Sequence, residues 1–179
     1  LKDYEEHVVV SYRMNERDLL FSAWKAVVGG YPSQMFILSM PEIVEEYTKQ
    51  EFRDLYSLPI KINKKEKARL MARLVEDFWA YQGEYVFLSR NCAHEALWFL
   101  QSAIENKKLR AIDVISPNSV FETLIKLKIG DGHVFADRSQ AIRDGFIFPS
   151  QRDAVEKLFK VVSEYYDYKN FEDFSKNSK

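Results

Sequence analysis

The sequence is poor in cysteine, glycine and proline, with one, six and five of these residues among 179. The single cysteine, Cys92, excludes an internal disulfide and any metal site built from several cysteines. No apolar run approaches the ~20 residues that a membrane-spanning helix needs. The charges balance, with 27 acidic and 26 basic side chains. We therefore expect no nucleic-acid partner, because the chain lacks the positive charge that binds phosphates.

The abundant residues are those of a globular core. Apolar residues make up 46% and aromatic residues 15% of the chain, and a chain of this length can bury a core without disulfides or metals. Patterns typical of helices and of short strands mix without the regular alternation of a doubly wound sheet. The sequence therefore predicts an α+β fold, with an α+β domain over residues 1–150 and a C-terminal helix and tail over residues 151–179.

The clearest local signal is a helix over residues 63–82. Asn63 is its N-cap, Glu66 completes a capping box, and apolar residues then recur at helical spacing. A β-branched run predicts a strand over residues 7–14. The sequence Gly-Tyr-Pro-Ser predicts a loop that includes residues 31–33. Further helices are predicted over residues 17–28, 39–47, 92–104, 116–128 and 151–166, and an edge strand over residues 53–62.

The most informative segment for chemistry surrounds Cys92. A short strand over residues 85–88 is predicted to lead through a polar bend into a helix that Cys92 opens, with Asn91 as its cap. A thiol in the first helical turn lies at the positive end of the helix dipole and near unpaired backbone N–H groups. These groups favour the thiolate and can receive an oxyanion, so Cys92 is the candidate nucleophile. The alternative is a small buried residue that packs the start of a helix.

A nucleophilic cysteine needs a base, most often histidine. His94 is the poorest candidate, because two helical residues separate it from Cys92 by about 200° around the axis. His133 is predicted at the start of a strand, and His7 opens the first strand. Either can occupy the position that histidine has in papain-type enzymes, although a surface or capping role is the alternative for each. No histidine accompanies an acidic cluster at metal-ligand spacing, so we expect no metal and no cofactor.

Five short blocks follow one another in an order that resembles a known bacterial family. They are residues 29–33 (GGYPS), 46–47 (EY), 53–56 (RDLY), 87–92 (FLSRNC) and 115–118 (ISPN). The family includes the N-terminal periplasmic domain of the lipoprotein N-acyltransferase Lnb. The resemblance covers roughly residues 8–139.

The resemblance implies a circularly permuted papain-like fold in a periplasmic or outer-membrane-associated protein. It implies that Cys92 is the nucleophile in acyl transfer, or in hydrolysis of an amide or ester. The implied substrate is a lipid, a peptide or a lipoprotein, and peripheral contact with a membrane is possible. The family's histidine lies in a Gly-His motif before the first strand, and this sequence has none before His7. We therefore expect the fold to be incomplete at its N-terminus and the histidine to lie upstream, with His7 and His133 as alternatives.

Two other functions compete with catalysis. The first is a non-catalytic module of the same fold that binds a lipid or a protein, which the missing Gly-His motif favours. The second is a cytosolic helical interaction domain outside the family, in which Cys92 is merely buried.

Overall fold

The computed structural model describes residues 3–14, 31–86, 91–113, 116–166, 170–171 and 174. Helices and two small antiparallel sheets make up this part of the chain, which confirms the predicted α+β class. The strands are β1 (Val8–Met14), β2 (Tyr31–Ser39), β3 (Leu55–Tyr56), β4 (Gly83–Tyr85) and β5 (Ile147–Phe148). The α-helices are α1 (Met40–Glu45), α2 (Lys64–Ala80), α3 (Cys92–Ala103), α4 (Lys107–Arg110), α5 (Pro117–Lys126), α6 (Arg138–Arg143) and α7 (Arg152–Val162).

The chain forms two compact units. The central unit consists of Val8–Leu38 and Leu58–His133, and the flanking unit consists of the chain up to His7, Ser39–Ser57 and the chain from Val134 onward. The predicted boundary at residue 150 stays a prediction. None of the helices in the described part of the chain is long and apolar enough to cross a membrane.

The central unit combines a three-stranded sheet with a helical core. The sheet has the order β1-β2-β4, and β2 pairs with β4 so that Ser33 lies opposite Gly83. The core is built mainly from α3, α4 and α5, because each turns one apolar side inward. Its buried members are Ala93, Leu97, Ile104, Leu109, Val120, Leu124 and Ile129.

The flanking unit is organised around the short β3–β5 ladder, in which Leu55 pairs with Phe148. Asp54 ties its segments together, since it accepts hydrogen bonds from the Ser150 N–H at 2.8 Å and from the Arg138 guanidinium at 2.9 Å. These hydrogen bonds lower the pKa of the Asp54 carboxyl below its usual value, and the bond from the Ser150 N–H has the largest effect. These hydrogen bonds connect the loops of the flanking unit.

Several sequence predictions are confirmed. The strand predicted over residues 7–14 is β1, and the helices predicted over residues 63–82 and 92–104 are α2 and α3. Asn63 and Glu66 form the reciprocal capping box at the start of α2, with hydrogen bonds of 2.9 to 3.0 Å. The helix predicted over residues 17–28 lies outside the described residues.

Three local predictions need correction. The loop predicted at residues 31–33 is the start of β2, where Tyr31 and Ser33 are buried and Pro32 is exposed, because pairing with β4 overrides the local loop signal. The strand predicted at His133 is a 3-10 turn (Gly132–Phe135), because the Asp131 carboxylate accepts the His133 N–H at 3.2 Å. The edge strand predicted over residues 53–62 shrinks to β3 and one bridge, Ile60 to Gly130.

Candidate functional site

Cys92 is the first residue of α3, as predicted. Asn91 is the N-cap, and its side-chain oxygen accepts the N–H groups of Ala93 at 3.0 Å and of His94 at 3.2 Å. The Cys92 thiol is exposed and forms no disulfide, so the alternative of a buried packing residue is wrong. The strand that precedes the bend is β4, which ends at Tyr85, and Leu88 lies outside the described residues.

The cap changes what the helix start can offer a substrate. The Asn91 side chain accepts hydrogen bonds from two of the first-turn N–H groups. From the sequence, these groups were expected to be available for an oxyanion. The described residues supply no acceptor for the Cys92 N–H, so this donor stays open beside the thiol. Cys92 therefore combines an exposed sulfur with one backbone donor on the same residue.

The position of α3 is fixed by the core below Cys92. Ala93 and Leu97 are 3% and 1% exposed and pack against the other core residues. One helical turn further on, the Gln101 side chain donates to the carbonyls of Leu109 at 2.9 Å and Ile112 at 2.8 Å. The helix α3, which carries the thiol, is therefore held by its buried side and by the Gln101 hydrogen bonds near its C-terminal end.

The described contacts give Cys92 no hydrogen-bonding or ion-pair partner, and each histidine has a different neighbour. His94 is buried, with its Nδ1 3.2 Å from Asp113 Oδ1 and its ring 4.5 Å from that of Trp98. Its burial beside an exposed Cys92 agrees with the predicted angular separation. His133 is exposed in its 3-10 turn. His7 is also exposed and lies in the flanking unit, where its carbonyl accepts the Met40 N–H.

A polar pocket of about 770 Å³ opens elsewhere in the central unit, and we call it the Tyr81 pocket. Its wall comes from β1, β2, β4, α2 and α3 and from the residues that directly follow α2. The buried Asp77 carboxylate accepts the Tyr12 hydroxyl at 2.7 Å and the Arg73 guanidinium at 2.9 Å. Glu95, buried to 7% exposure, lines the same cavity. Asp77 is thus satisfied from two sides, as a buried carboxylate must be.

Two neighbouring hydroxyls are buried in the wall of the Tyr81 pocket, within hydrogen-bonding reach of each other. They belong to Ser33, which is 1% exposed, and to Tyr81. Both flank Gly83, where an added Cβ would overlap the Tyr81 phenol oxygen and approach the Ser33 Cβ to 3.2 Å. Gly83 is therefore required for the close approach of these side chains.

The pocket was not predicted, although the sequence carries a signal for it. Asp77 lies on the same stripe of α2 as Leu70, Leu74 and Tyr81, at helical spacing. An acidic residue in an otherwise apolar stripe needs a buried partner, and that requirement points to a polar cluster. The partner is Tyr12 on β1, 65 residues away, which no local pattern identifies.

The environment of the pocket keeps both phenols protonated. Burial raises the pKa of Tyr81 to about 12. Burial, followed by the hydrogen bond to Asp77, raises the pKa of Tyr12 well above its usual value. Both side chains are therefore neutral hydroxyls at physiological pH.

These raised pKa values predict a loss of stability in alkali. The folded protein retains two protons that the unfolded chain releases near pH 10, so the stabilisation is present below pH 10 and is lost as pH rises. We expect the free energy of unfolding to fall by about 2 kcal/mol between pH 9 and pH 11, measured by urea titration. Replacing Tyr12 and Tyr81 by Phe should flatten this dependence, whereas Phe at the exposed Tyr165 and Tyr166 should not. A wild-type stability that is equal at both pH values would contradict the assignment.

Comparison with protein families gives one match. A family model described as the Lnb N-terminal periplasmic domain matches residues 2–126, which include β1 to α5 and Cys92. Comparisons with curated proteins and with solved structures give no match.

Proposed function

Because the chain belongs to the Lnb N-terminal periplasmic domain family, we propose that it carries out thiol-dependent acyl transfer, or hydrolysis of an ester or amide, with Cys92 as nucleophile. The observation that carries the proposal is the exposed thiol on the first residue of α3. The family is periplasmic, which confirms the predicted location. A circularly permuted papain-like fold is part of the same proposal, supported by a cysteine that opens a helix after an antiparallel sheet.

The proposed reaction has two steps. The Cys92 thiolate attacks the carbonyl carbon of the donor, a C–S bond forms, and the C–O or C–N bond to the leaving group breaks. The leaving group takes up a proton as it departs. An amine or water then attacks the thioester, the C–S bond breaks, and the proton released by the attacking group restores the thiol or its base. No oxidant or reductant enters either step.

The residues around Cys92 have distinct roles in this scheme. In this proposal the Cys92 N–H donates to the oxygen of the tetrahedral intermediate. Asn91 positions the thiol through the helix start and does not touch the reacting atoms. The base is a histidine, for which His7 and His133 are candidates in this chain beside the family's Gly-His histidine.

The donor that we propose is a lipid ester, and the acceptor is the amine of a peptide or lipoprotein. The resemblance supports this choice, since the family includes a domain of the lipoprotein N-acyltransferase Lnb. Exposure of Cys92 also favours it, because a thiol at the surface can be reached by a bulky acyl chain without opening the core.

The test exploits the single cysteine. Iodoacetamide can modify only Cys92 as a thiol, so the protein is treated to graded extents and turnover of a p-nitrophenyl acyl ester, with and without a peptide amine, is then measured. Turnover should fall in proportion to the alkylated fraction. Turnover that is unaffected by complete alkylation would contradict the proposal.

The second candidate is a non-catalytic lipid- or protein-binding module of the same fold. It is favoured by the absence of a described base in contact with Cys92. For such a module, neither the untreated nor the alkylated protein would turn the ester over.

A further inference from the structure

The solvent side of α2 is unusually apolar for a helix at the surface of a domain. A helix that only covers a core has charged residues opposite its buried side. On α2, four large apolar side chains recur there at helical spacing and are between 48% and 81% exposed: Met71, Val75, Phe78 and Trp79. We call these four residues the α2 outer face. A contiguous exposed apolar patch of this kind is typical of an interaction surface.

The charges of α2 are divided unevenly between its two sides. Glu66 and Asp77 are buried and hydrogen-bonded, and the exposed Glu76 lies 3.5 Å from the Arg73 guanidinium. Three exposed residues of the first turn form none of the ion pairs in the described part of the chain: Lys64, Lys65 and Lys67. Positive charges at the N-terminus of a helix oppose its dipole, so these lysines do not stabilise α2.

We infer that the α2 outer face and the three lysines dock onto an anionic lipid surface. A helix that lies in a membrane interface buries its apolar side chains at the acyl boundary and places its lysines near the phosphates. Trp79 is the most exposed of the four apolar residues, and indole rings favour this interface. Helical spacing puts Lys64 on the same stripe as Val75, about 22 Å from Trp79 along the axis. The basic and apolar parts therefore face one plane.

A second copy of the chain fits this surface less well. Two copies joined through the same face would bring six lysines together with one exposed carboxylate from each α2, Glu76, which already pairs with Arg73. An anionic lipid surface supplies a phosphate for each lysine and an apolar layer for the four outer side chains. The charge of the surface thus favours the lipid.

The packing of α2 on α3 relates this face to the candidate nucleophile. Near the start of α2, the Arg69 Nε donates to the Ala103 carbonyl at the end of α3, at 2.9 Å. Near the end of α2, Asp77 lines the Tyr81 pocket together with Glu95 from the start of α3. The two helices are therefore antiparallel, and the Trp79 end of the outer face lies at the same end of the pair as Cys92. Docking itself does not depend on catalysis by this thiol.

Vesicle sedimentation tests the inference with the whole chain at low salt. Vesicles of phosphatidylglycerol and phosphatidylcholine in equal parts are compared with vesicles of phosphatidylcholine alone. A lysine at an anionic surface strengthens binding roughly fivefold, so the partition coefficient should be about 100-fold higher on the anionic vesicles. Added salt should reduce this difference. Equal partition into both kinds of vesicle, or binding to neither, would overturn the inference.

Charge variants locate the docking face. Replacing the three lysines of the first turn of α2 by Gln should lower partition into the anionic vesicles about 100-fold. The matched control removes the same charge from exposed positions on α5 and α7 and should lower partition less than about threefold: Lys126, Lys157 and Lys160, each replaced by Gln. Equal losses for the two triple variants would show that only net charge matters, and the inference would be wrong.

An aromatic pair tests the apolar part of the face. Trp79→Ala should weaken binding to the anionic vesicles about tenfold, because the indole leaves water on docking. Tyr165→Ala removes a similarly exposed aromatic ring from another part of the surface and should change binding little. If the wild type is instead a dimer that Trp79→Ala dissociates, and it binds no vesicles, a second copy covers the face and the inference is wrong.

The outcome can be separated from that of the proposed reaction. Cys92→Ser should bind the anionic vesicles as the wild type does, although it lacks the thiol. Vesicle binding without ester turnover would support docking and count against the reaction, whereas turnover without vesicle binding would count against docking alone.

Discussion

The Cys92→Ser variant is expected to lose acyl transfer by about 10³-fold or more in kcat/KM, because a hydroxyl lacks the nucleophilicity of a thiolate and nothing else replaces it. The side chain keeps its size, and the first turn of α3 keeps its cap at Asn91. The loss should therefore appear in turnover of the p-nitrophenyl ester while the unfolding transition stays in place.

A matched control lies on the same helix. Ser102→Ala removes a hydroxyl from an exposed position that donates only to the Phe99 carbonyl, and it should leave turnover unchanged. Full activity of Cys92→Ser would exclude the thiol as nucleophile and would favour the binding module.

Leu97→Ala is expected to have the largest effect on stability, a loss of about 3 kcal/mol in the free energy of unfolding. The side chain is 1% exposed in the centre of the core under α3, so truncation removes buried apolar surface and leaves a cavity. Leu158→Ala, on α7 where the leucine is 53% exposed, is the control and should cost less than about 0.5 kcal/mol. Urea unfolding measures both variants. Equal losses for the two variants would contradict the assignment of this core.

The local features of the fold could be predicted because neighbouring residues determine them. The cap at Asn63 and the cap at Asn91 need only a side-chain oxygen two or three residues before the N–H that it accepts. The placement of Cys92 at a helix start follows from the second of these caps. A sequence of a dozen residues was therefore sufficient to place the candidate nucleophile.

The remaining features depend on residues far apart in the chain. Tyr31 looks like part of a loop until β4, about 50 residues later, pairs with it. The Tyr81 pocket depends on the hydrogen bond between Tyr12 and Asp77 and on the pairing of Ser33 with Gly83. Neither contact can be recognised from the periodicity of apolar residues along the sequence. The strand predicted at His133 is wrong for a different reason, because the Asp131 carboxylate accepts the His133 N–H and this hydrogen bond competes with strand formation.

The central claim, that Cys92 is the nucleophile, is tested most directly by trapping the acyl-enzyme. The protein is mixed with a p-nitrophenyl ester and quenched in acid, and its peptides are analysed by mass spectrometry with and without neutral hydroxylamine. The account predicts one acyl group on the peptide that contains Cys92, bound as a thioester that hydroxylamine removes. An acyl group found only on a serine or lysine, or a Cys92 that stays unmodified while the ester is consumed, would contradict it.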